Sequence, residues 1–421
     1  MSDLYRSAMS ARIAKLPPDL PPGDDFVTRA PGFGDGVNRA PAFDDDDDEE
    51  FETDGLGDLP NSGLGPPAVP PNPHLQRLDP RARNQNPTYN KRNTREHKPN
   101  PAFAPLSAAG LFAESAQIPL PDRGLDMRVY YTAAGSPTGP LLVAHHGAGY
   151  SGLSFACFAG EITSTTRGEL GVLALDARRH GKTTSLVDPE PEDLSITTLV
   201  DDLVALLTTM FPDPARAPGF LLTGHSMGGS VVTRACAVLV GRKYRLIGVS
   251  VLDAVEGHAL PALPAMHGLL AGRPEGFRCL EDAVGWHIQT KTIRNVHSAR
   301  ISIPPIFVEA KPAPDGRPPP YKYVWRTPLR TTAAYWRGWF EGLSQAFLDA
   351  RTARLLVLAG TDRLDKPLMI GQMQGRFQLE VVPDVGHLLH EDNPTKLAEI
   401  HVNFWRRNER VLVGVKKVGE E

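Results

Sequence analysis

The sequence predicts an α/β protein with a mostly parallel central sheet and helices on both faces. Three observations carry this reading. First, short runs apolar at nearly every position recur: "PLLVAHHGAG" (Pro140 to Gly149), "GVLALDARRHG" (Gly171 to Gly181), "GFLLTG" (Gly219 to Gly224), "LIGVSVLD" (Leu246 to Asp253) and "RLLVLAG" (Arg354 to Gly360). Strands covered on both faces read this way. Second, amphipathic helical patterns stand between the runs, as a sheet wound by crossover helices requires. Third, the runs end in Gly, His or Asp, and in such sheets reactive groups gather just past the carboxyl ends of the strands.

Taken in order, "MRVYYTAAG" (Met127 to Gly135) is a strand, alternating and rich in β-branched and aromatic residues. The runs at 140–149 and 171–181 follow. "ITTLVDDLVALLTTMF" (Ile196 to Phe211) places Ile196, Leu199, Val200, Leu203, Leu206, Leu207 and Met210 on one helical face, with Ser195 available as its cap. The strand at 219–224 leads into a helix that includes "SVVTRACAVLV". The runs at 246–253 and 354–360 are two more strands, and "FQLEVVP" (Phe377 to Pro383) is a shorter, alternating one. A final helix begins at Pro394, in its first turn behind Asp392 and Asn393, and runs to about Arg407.

Residues 1–100 lie outside this pattern. They hold many of the prolines and the acidic run "FDDDDDEEFETDG" (Phe43 to Gly55), with few large apolar residues. Such a segment buries too little apolar surface to offset its ordering entropy, so a disordered tail is expected. The acidic run and the basic "NKRNTREHKPN" (Asn90 to Asn100) are read as solvated. The folded domain is expected over 101–410, starting near "FAPLSAAGLF", with a short C-terminal tail at 411–421. There is no internal repeat.

The totals exclude several classes. A net charge of −4 gives no reason to expect nucleic acid or an anionic membrane as partner. Cys157, Cys236 and Cys279 are too few and too scattered for a disulfide framework or a zinc site. The N-terminus lacks the apolar core of a secretory signal, and no stretch approaches the ~20 apolar residues of a spanning helix. A soluble intracellular protein, cytoplasmic or nuclear, is expected.

The chemistry centres on "LLTGHSMGGS" (Leu221 to Ser230). Gly224-His225-Ser226-Met227-Gly228 stands between a strand and a helix, as a nucleophile elbow requires. The turn is too sharp for side chains two positions before and after the serine, hence the glycines. The helix that follows brings its positive dipole end to the point where negative charge develops. A hydroxyl is a poor nucleophile until a base takes its proton. His387, in "VPDVGHLLHED", follows the last strand and precedes the last helix, where this architecture delivers its base; His390 and His401 are read as structural. Two carboxylates compete to orient the imidazole, Asp253 at the end of "VSVLD" and Asp362 in "LAGTDRLDK", with Asp365 third. Spacing alone favours Asp362. The developing oxyanion needs two backbone N–H groups, assigned to Met227, directly after the serine, and to Ala148 in "HHGAG". His145 and His146 are wall and core residues rather than a metal pair, because adjacent strand residues point to opposite faces.

With these residues in place the chain resembles a known family. "GHSMGGS", "LDAVEG" (Leu252 to Gly257), "GRPEGF" (Gly272 to Phe277), "IRNVHSARISIP" (Ile293 to Pro304), "YWRGWFEGLSQAFL" (Tyr335 to Leu348), "LAGTDRLDKPLMIGQMQGRFQ" (Leu358 to Gln378) and "GHLLHEDNP" (Gly386 to Pro394) resemble the protein phosphatase methylesterases, members of the α/β-hydrolase superfamily. The likeness runs roughly from Ala102 to Arg407 and does not include the tail. It implies an α/β-hydrolase fold and an esterase, free of cofactors, that removes the methyl ester from the C-terminal leucine of the protein phosphatase 2A catalytic subunit. It also implies that the triad acid is the aspartate of the "D-x-V-E-G" motif, Asp253, leaving Asp362 structural. Ala254 and the His145/Ala148 form of a glycine-rich loop depart from the family pattern without removing a group the chemistry requires.

The segment 258–340 interrupts the sheet between two strands and is expected to form a helical cap beside the site, with a mobile proline-rich loop at 311–322. Trp286, Trp336, Trp339 and Phe340 lie in it, for the most part as the cap's own core. Gly147, His225 and Trp336 are the residues expected against the substrate. Two other readings use the same residues: a general small-molecule carboxylesterase, and a phosphatase-binding module without catalysis.

Overall fold

The computed structural model describes residues 98–409 apart from 137, 313–315 and 361–363. Residues 1–97 of the expected tail at 1–100, and the whole of the one at 411–421, lie outside the described residues, and so do Asp362 and part of the proline-rich loop.

Twelve strands occur among the described residues. In chain order they are β1 (Glu114–Leu120), β2 (Leu125–Thr132), β3 (Leu141–His145), β4 (Gly171–Leu175), β5 (Thr184–Ser185), β6 (Phe220–His225), β7 (Leu246–Leu252), β8 (Gly276–Phe277), β9 (Phe307–Glu309), β10 (Tyr323–Trp325), β11 (Ala353–Leu358) and β12 (Gln378–Val381). The main sheet has the order β1-β2-β4-β3-β6-β7-β11-β12, with β5 on β2. β4, β3, β6, β7, β11 and β12 are mutually parallel. β2 is antiparallel to β1, β4 and β5.

The apolar runs are buried on both faces, as the sequence requires. In β3, Leu141 and Val143 join one core cluster while Leu142 and Ala144 join the other. In β4 the same split separates Leu173 and Leu175 from Val172 and Ala174. Helices α1 (Ala156–Thr166), α2 (Ile196–Met210) and α3 (Met227–Gly241) are the first three crossovers. Leu199, Leu203 and Leu206 of α2 and Val231, Ala235 and Leu239 of α3 cover one face. Phe158 and Ile162 of α1 cover the other, beside Leu397, Phe404 and Trp405 near the C-terminus. Ser195 caps α2, accepting from the Thr198 amide at 3.4 Å. β1 was not legible in the sequence. It is an edge strand paired with β2, its exposure alternates, and Pro119 lies inside it. Proline is tolerated at a sheet edge but weakens the strand signal.

Between β7 and β11 the chain leaves the sheet and builds the cap. Its helices are α4 (Glu256–Ala271), α5 (Leu280–Gln289), α6 (Val296–Ser302), α7 (Ala333–Phe340) and α8 (Leu343–Asp349). The cap is helical as expected, and β8, β10 and β9 add a small antiparallel sheet inside it. Strands of two or three residues are too short to show a period. What holds them is an aromatic cluster: Phe277 on β8, Phe307 on β9 and Trp325 on β10 pack on one another and on Trp286 of α5. After β11 come α9 (Lys366–Met373), α10 (Leu389–Asp392) and α11 (Pro394–Glu409). Among the described residues no helix is long and apolar enough to cross a membrane.

One buried ion pair ties α2 to the loop after β4. Arg178 grips Asp202 with Nε and Nη2, both at 2.8 Å, and Arg123 Nε adds a third contact at 2.8 Å. Removing the acid leaves Arg178 as an uncompensated buried charge. Asp202→Ala is expected to lower unfolding stability by about 3–5 kcal/mol, read from the midpoint of urea denaturation.

Candidate active site

β6 ends at His225 and α3 begins at Met227, so a single residue, Ser226, makes the turn between them. Its φ of 52° and ψ of −119° lie where a residue with a side chain is strained. The strain is held from both sides. The Ser226 amide donates to Leu252 O at 3.1 Å, and Ser226 O accepts from Gly229 N at 2.9 Å. The flanking glycines are steric necessities. A Cβ on Gly224 would stand 2.2 Å from the Gly228 carbonyl oxygen, and one on Gly228 would stand 2.2 Å from that of His145. The second clearance is against the end of β3, which is why the loop after β3 lies so close to the serine.

His387 sits on the loop between β12 and α10. Its Nδ1–H donates to Asp253 Oδ2 at 2.8 Å. Asp253 follows β7 directly, with φ of 48°, and its Oδ1 accepts the Ala359 amide at 3.0 Å. The carboxylate is therefore fixed at the ends of β7 and β11. The Asp253 side chain is 1% exposed and that of His387 26%, so the carboxylate is sealed while the imidazole opens on the cavity. With Nδ1 protonated toward the carboxylate, Nε2 is the basic nitrogen. Ser226 and His387 line one cavity of about 430 Å³ together with Gly147, Ala148, Met227 and Trp336. Among the described residues Ser226 makes no hydrogen bond to His387; such contacts are commonly slack before substrate arrives.

His225 is buried, and its Nε2–H donates to the His387 carbonyl at 2.8 Å. The residue before the serine thus braces the backbone that carries His387. Burial holds His225 well below the ordinary imidazole range, so it is neutral, and its Nδ1 has no partner among the described residues. His390 lies beside it, stacked on Phe155 with ring centres 4.4 Å apart. His401 donates Nδ1–H to Leu397 O at 2.9 Å within α11. Asp365 caps α9 through the Leu368 amide and accepts from the Ser344 hydroxyl. None of these three is joined to His387 by a hydrogen bond.

The loop after β3 is held by His146, expected as a wall or core residue, and by His180, which sequence reasoning did not bring to the site. His146 accepts the Ala177 amide at Nε2, 2.9 Å, and donates Nδ1–H to Gly147 O at 2.7 Å. His180 accepts the Gly149 amide at Nε2, 2.9 Å, and donates Nδ1–H to Arg178 O at 2.7 Å. Accepting an amide at Nε2 fixes both as neutral Nδ1–H tautomers. Burial agrees, drawing His180 down to about 4 and His146 well below its ordinary value. The Tyr150 amide is also used, donating to Gly147 O at 3.2 Å. Among the described residues, the Ala148 and Met227 amides have no acceptor. Gly147 is pressed against the elbow, where an added Cβ would meet His225 Nδ1 at 2.7 Å and Ser226 Cβ at 3.3 Å.

The rest of the cavity wall is mostly apolar and comes from the cap: Leu263, Met266, Trp336, Trp339 and Phe340. Trp336 donates Nε1–H to Thr332 Oγ1 at 2.8 Å, and Trp339 to Leu194 O at 2.7 Å. Both indoles are buried in the core and turn one edge to the cavity.

Fold and site together define an α/β-hydrolase, and the model of the alpha/beta hydrolase family matches residues 141–400. The solved E-2-(acetamidomethylene)succinate hydrolase superposes with a TM-score of 0.53 at 20% identity, over 69% of this chain and 98% of that one, a likeness of fold alone. Closer relatives are named protein phosphatase methylesterase 1. That of Cryptococcus neoformans is 42% identical over 100% of this chain and 96% of its own length. Those of Aspergillus oryzae, at 37% over 100% and 93%, and Schizosaccharomyces pombe, at 43% over 68% and 80%, are similar. The chain belongs to the protein phosphatase methylesterase family and is a carboxylic ester hydrolase.

Two outcomes follow from the histidines. His225→Leu removes the brace on His387 and is expected to lower kcat about 10- to 100-fold with little change in KM, while His225→Gln, which keeps an N–H donor, recovers part of it. An unchanged kcat in steady-state assays of the leucine variant refutes the brace. Stability should also fall in acid. His145, His180 and His401 are drawn from 6.5 to about 4, and His287 and His390 to about 3, by burial. The unfolded chain therefore takes up protons below about pH 6.5 that the folded chain refuses. Stability present above that pH is withdrawn as pH falls. Asp176, raised to about 6, and Glu391, also raised, act in the opposite sense but are outnumbered. The urea midpoint should drop between pH 7 and pH 5.

Proposed function

We propose that the enzyme removes the methyl ester from the C-terminal leucine of the protein phosphatase 2A catalytic subunit, through an acyl-serine intermediate. The observation that carries the mechanism is the 2.8 Å bond from His387 to Asp253 in the wall of the cavity that also holds Ser226. The substrate rests on the relatives' names and on the resemblance of the sequence motifs to that family. The apolar cap wall supports it, since Leu263, Met266 and Phe340 suit a leucine side chain.

Ser226, His387 and Asp253 are the catalytic residues in this reading. His387 Nε2 takes the Ser226 proton as Oγ attacks the ester carbonyl, and Asp253 stabilises the imidazolium. The amides of Met227 and Ala148 receive the oxyanion, helped by the positive end of α3. Collapse expels methoxide, which leaves as methanol with the proton from His387. Water then enters, gives a proton to the same nitrogen and attacks the acyl-serine ester. The products are the free carboxylate and restored Ser226. Gly147 and Trp336 lie against the acyl chain, and His225 keeps His387 in place. Every bond change uses a side chain, a backbone amide or water.

The test is loss of methyl label, or release of methanol, from carboxymethylated phosphatase. Ser226→Ala and Asp253→Asn should each lower kcat by about 10⁴ or more with the fold retained by circular dichroism, while Asp362→Asn should keep most activity. Turnover of a simple ester without turnover of the methylated phosphatase would sink the substrate assignment.

A further inference from the structure

Arg273 holds an unanswered charge in the cavity wall. It lies between α4 and β8 and lines the same cavity as Ser226 and His387. No other Lys or Arg and no Asp or Glu lines that cavity among the described residues. The guanidinium lies over the ring of Trp325, 4.7 Å from its centre, and it also interacts with the Tyr150 hydroxyl. Both are neutral. Arg123 and Arg178, by contrast, share Asp202, and Arg294 faces Asp392. Arg273 forms no ion pair among the described residues.

A cation taken partly out of water and given only neutral neighbours is half of an ion pair. The surroundings also hold it ready. Trp325 Nε1–H donates to Pro274 O at 2.7 Å, fixing the turn next to Arg273, and the Trp325 ring is itself wedged by Phe277 and Phe307. Tyr150 joins Arg273 to the oxyanion loop through its amide on Gly147 O. A planar fork held in place beside an ester-cleaving centre is suited to a carboxylate.

We propose that Arg273 is the anion-reading residue of this cavity and binds a carboxylate carried by the substrate chain. The inference rests on the reading of the cavity as the ester-cleaving site. The carboxylate has two possible sources, the one freed by hydrolysis or an acidic side chain a few residues upstream. In the first case Arg273 holds product; in the second it selects substrate.

The experiment uses four short peptides ending in leucine, as methyl ester or free acid, each with or without one upstream acidic residue. Binding to the full chain is read from tryptophan fluorescence, and KM and kcat are measured for the esters, for wild type, Arg273→Gln and Arg273→Lys. Arg273→Gln is expected to weaken the anionic ligands about 10- to 100-fold, with Arg273→Lys recovering part of the loss. Losses on both free acids, whatever the upstream residue, assign the freed carboxylate. Losses confined to peptides with the acidic residue, ester and acid alike, assign the side chain. Equal binding of all four peptides by wild type and Arg273→Gln overturns the proposal, and so does an equal weakening of all four, the mark of a packing role on Trp325. Failure of wild type to cleave either ester would count against the function instead, since free-acid binding still reads Arg273.

Discussion

The hydrogen bond from His387 to Asp253 joins residues 134 apart in the chain, and the site is organised around it. Asp253 is set by the ends of β7 and β11; His387 rides on the loop after β12. Drawing the two together fixes which nitrogen of the imidazole carries the proton. His225 reaches the same loop from the serine side. Ser226, Asp253 and His387 thus follow β6, β7 and β12, parallel strands of one sheet with β11 between the last two, and a parallel sheet delivers all three at one edge.

The second constraint is the neutrality of the buried imidazoles. His146 and His180 each accept one amide and donate to one carbonyl, so each spans two backbone segments with a small rigid ring. That use consumes the Gly149 amide, while among the described residues the Ala148 amide, in the cavity that Ser226 lines, has no acceptor. Desolvation keeps these rings uncharged. His387 is placed differently, with a quarter of its side chain open to the cavity and a carboxylate behind it.

The cap completes a cavity that the sheet leaves open. Its indoles do two jobs, which resolves the choice between lining and core. Trp336 and Trp339 pack in the core around α3 and α4 with their N–H groups satisfied, and still present an edge to the cavity. Trp325 serves the small sheet and props Arg273. The wall is therefore shaped by residues whose positions are set by packing.

By itself the sequence determined the parallel sheet, because strands buried on both faces must be apolar throughout, and it determined the serine turn, because two backbone clearances demand glycine at 224 and 228. It also carried the family likeness that favours Asp253, whereas spacing alone pointed to Asp362, which lies outside the described residues. Only the tertiary structure decided that Asp253 meets His387, that His225 braces the base, and that His146 and His180 hold the loop after β3. Those contacts join segments far apart in the chain. Local spacing encodes which face a residue takes within its own element; the distance between two elements is decided when their side chains pack.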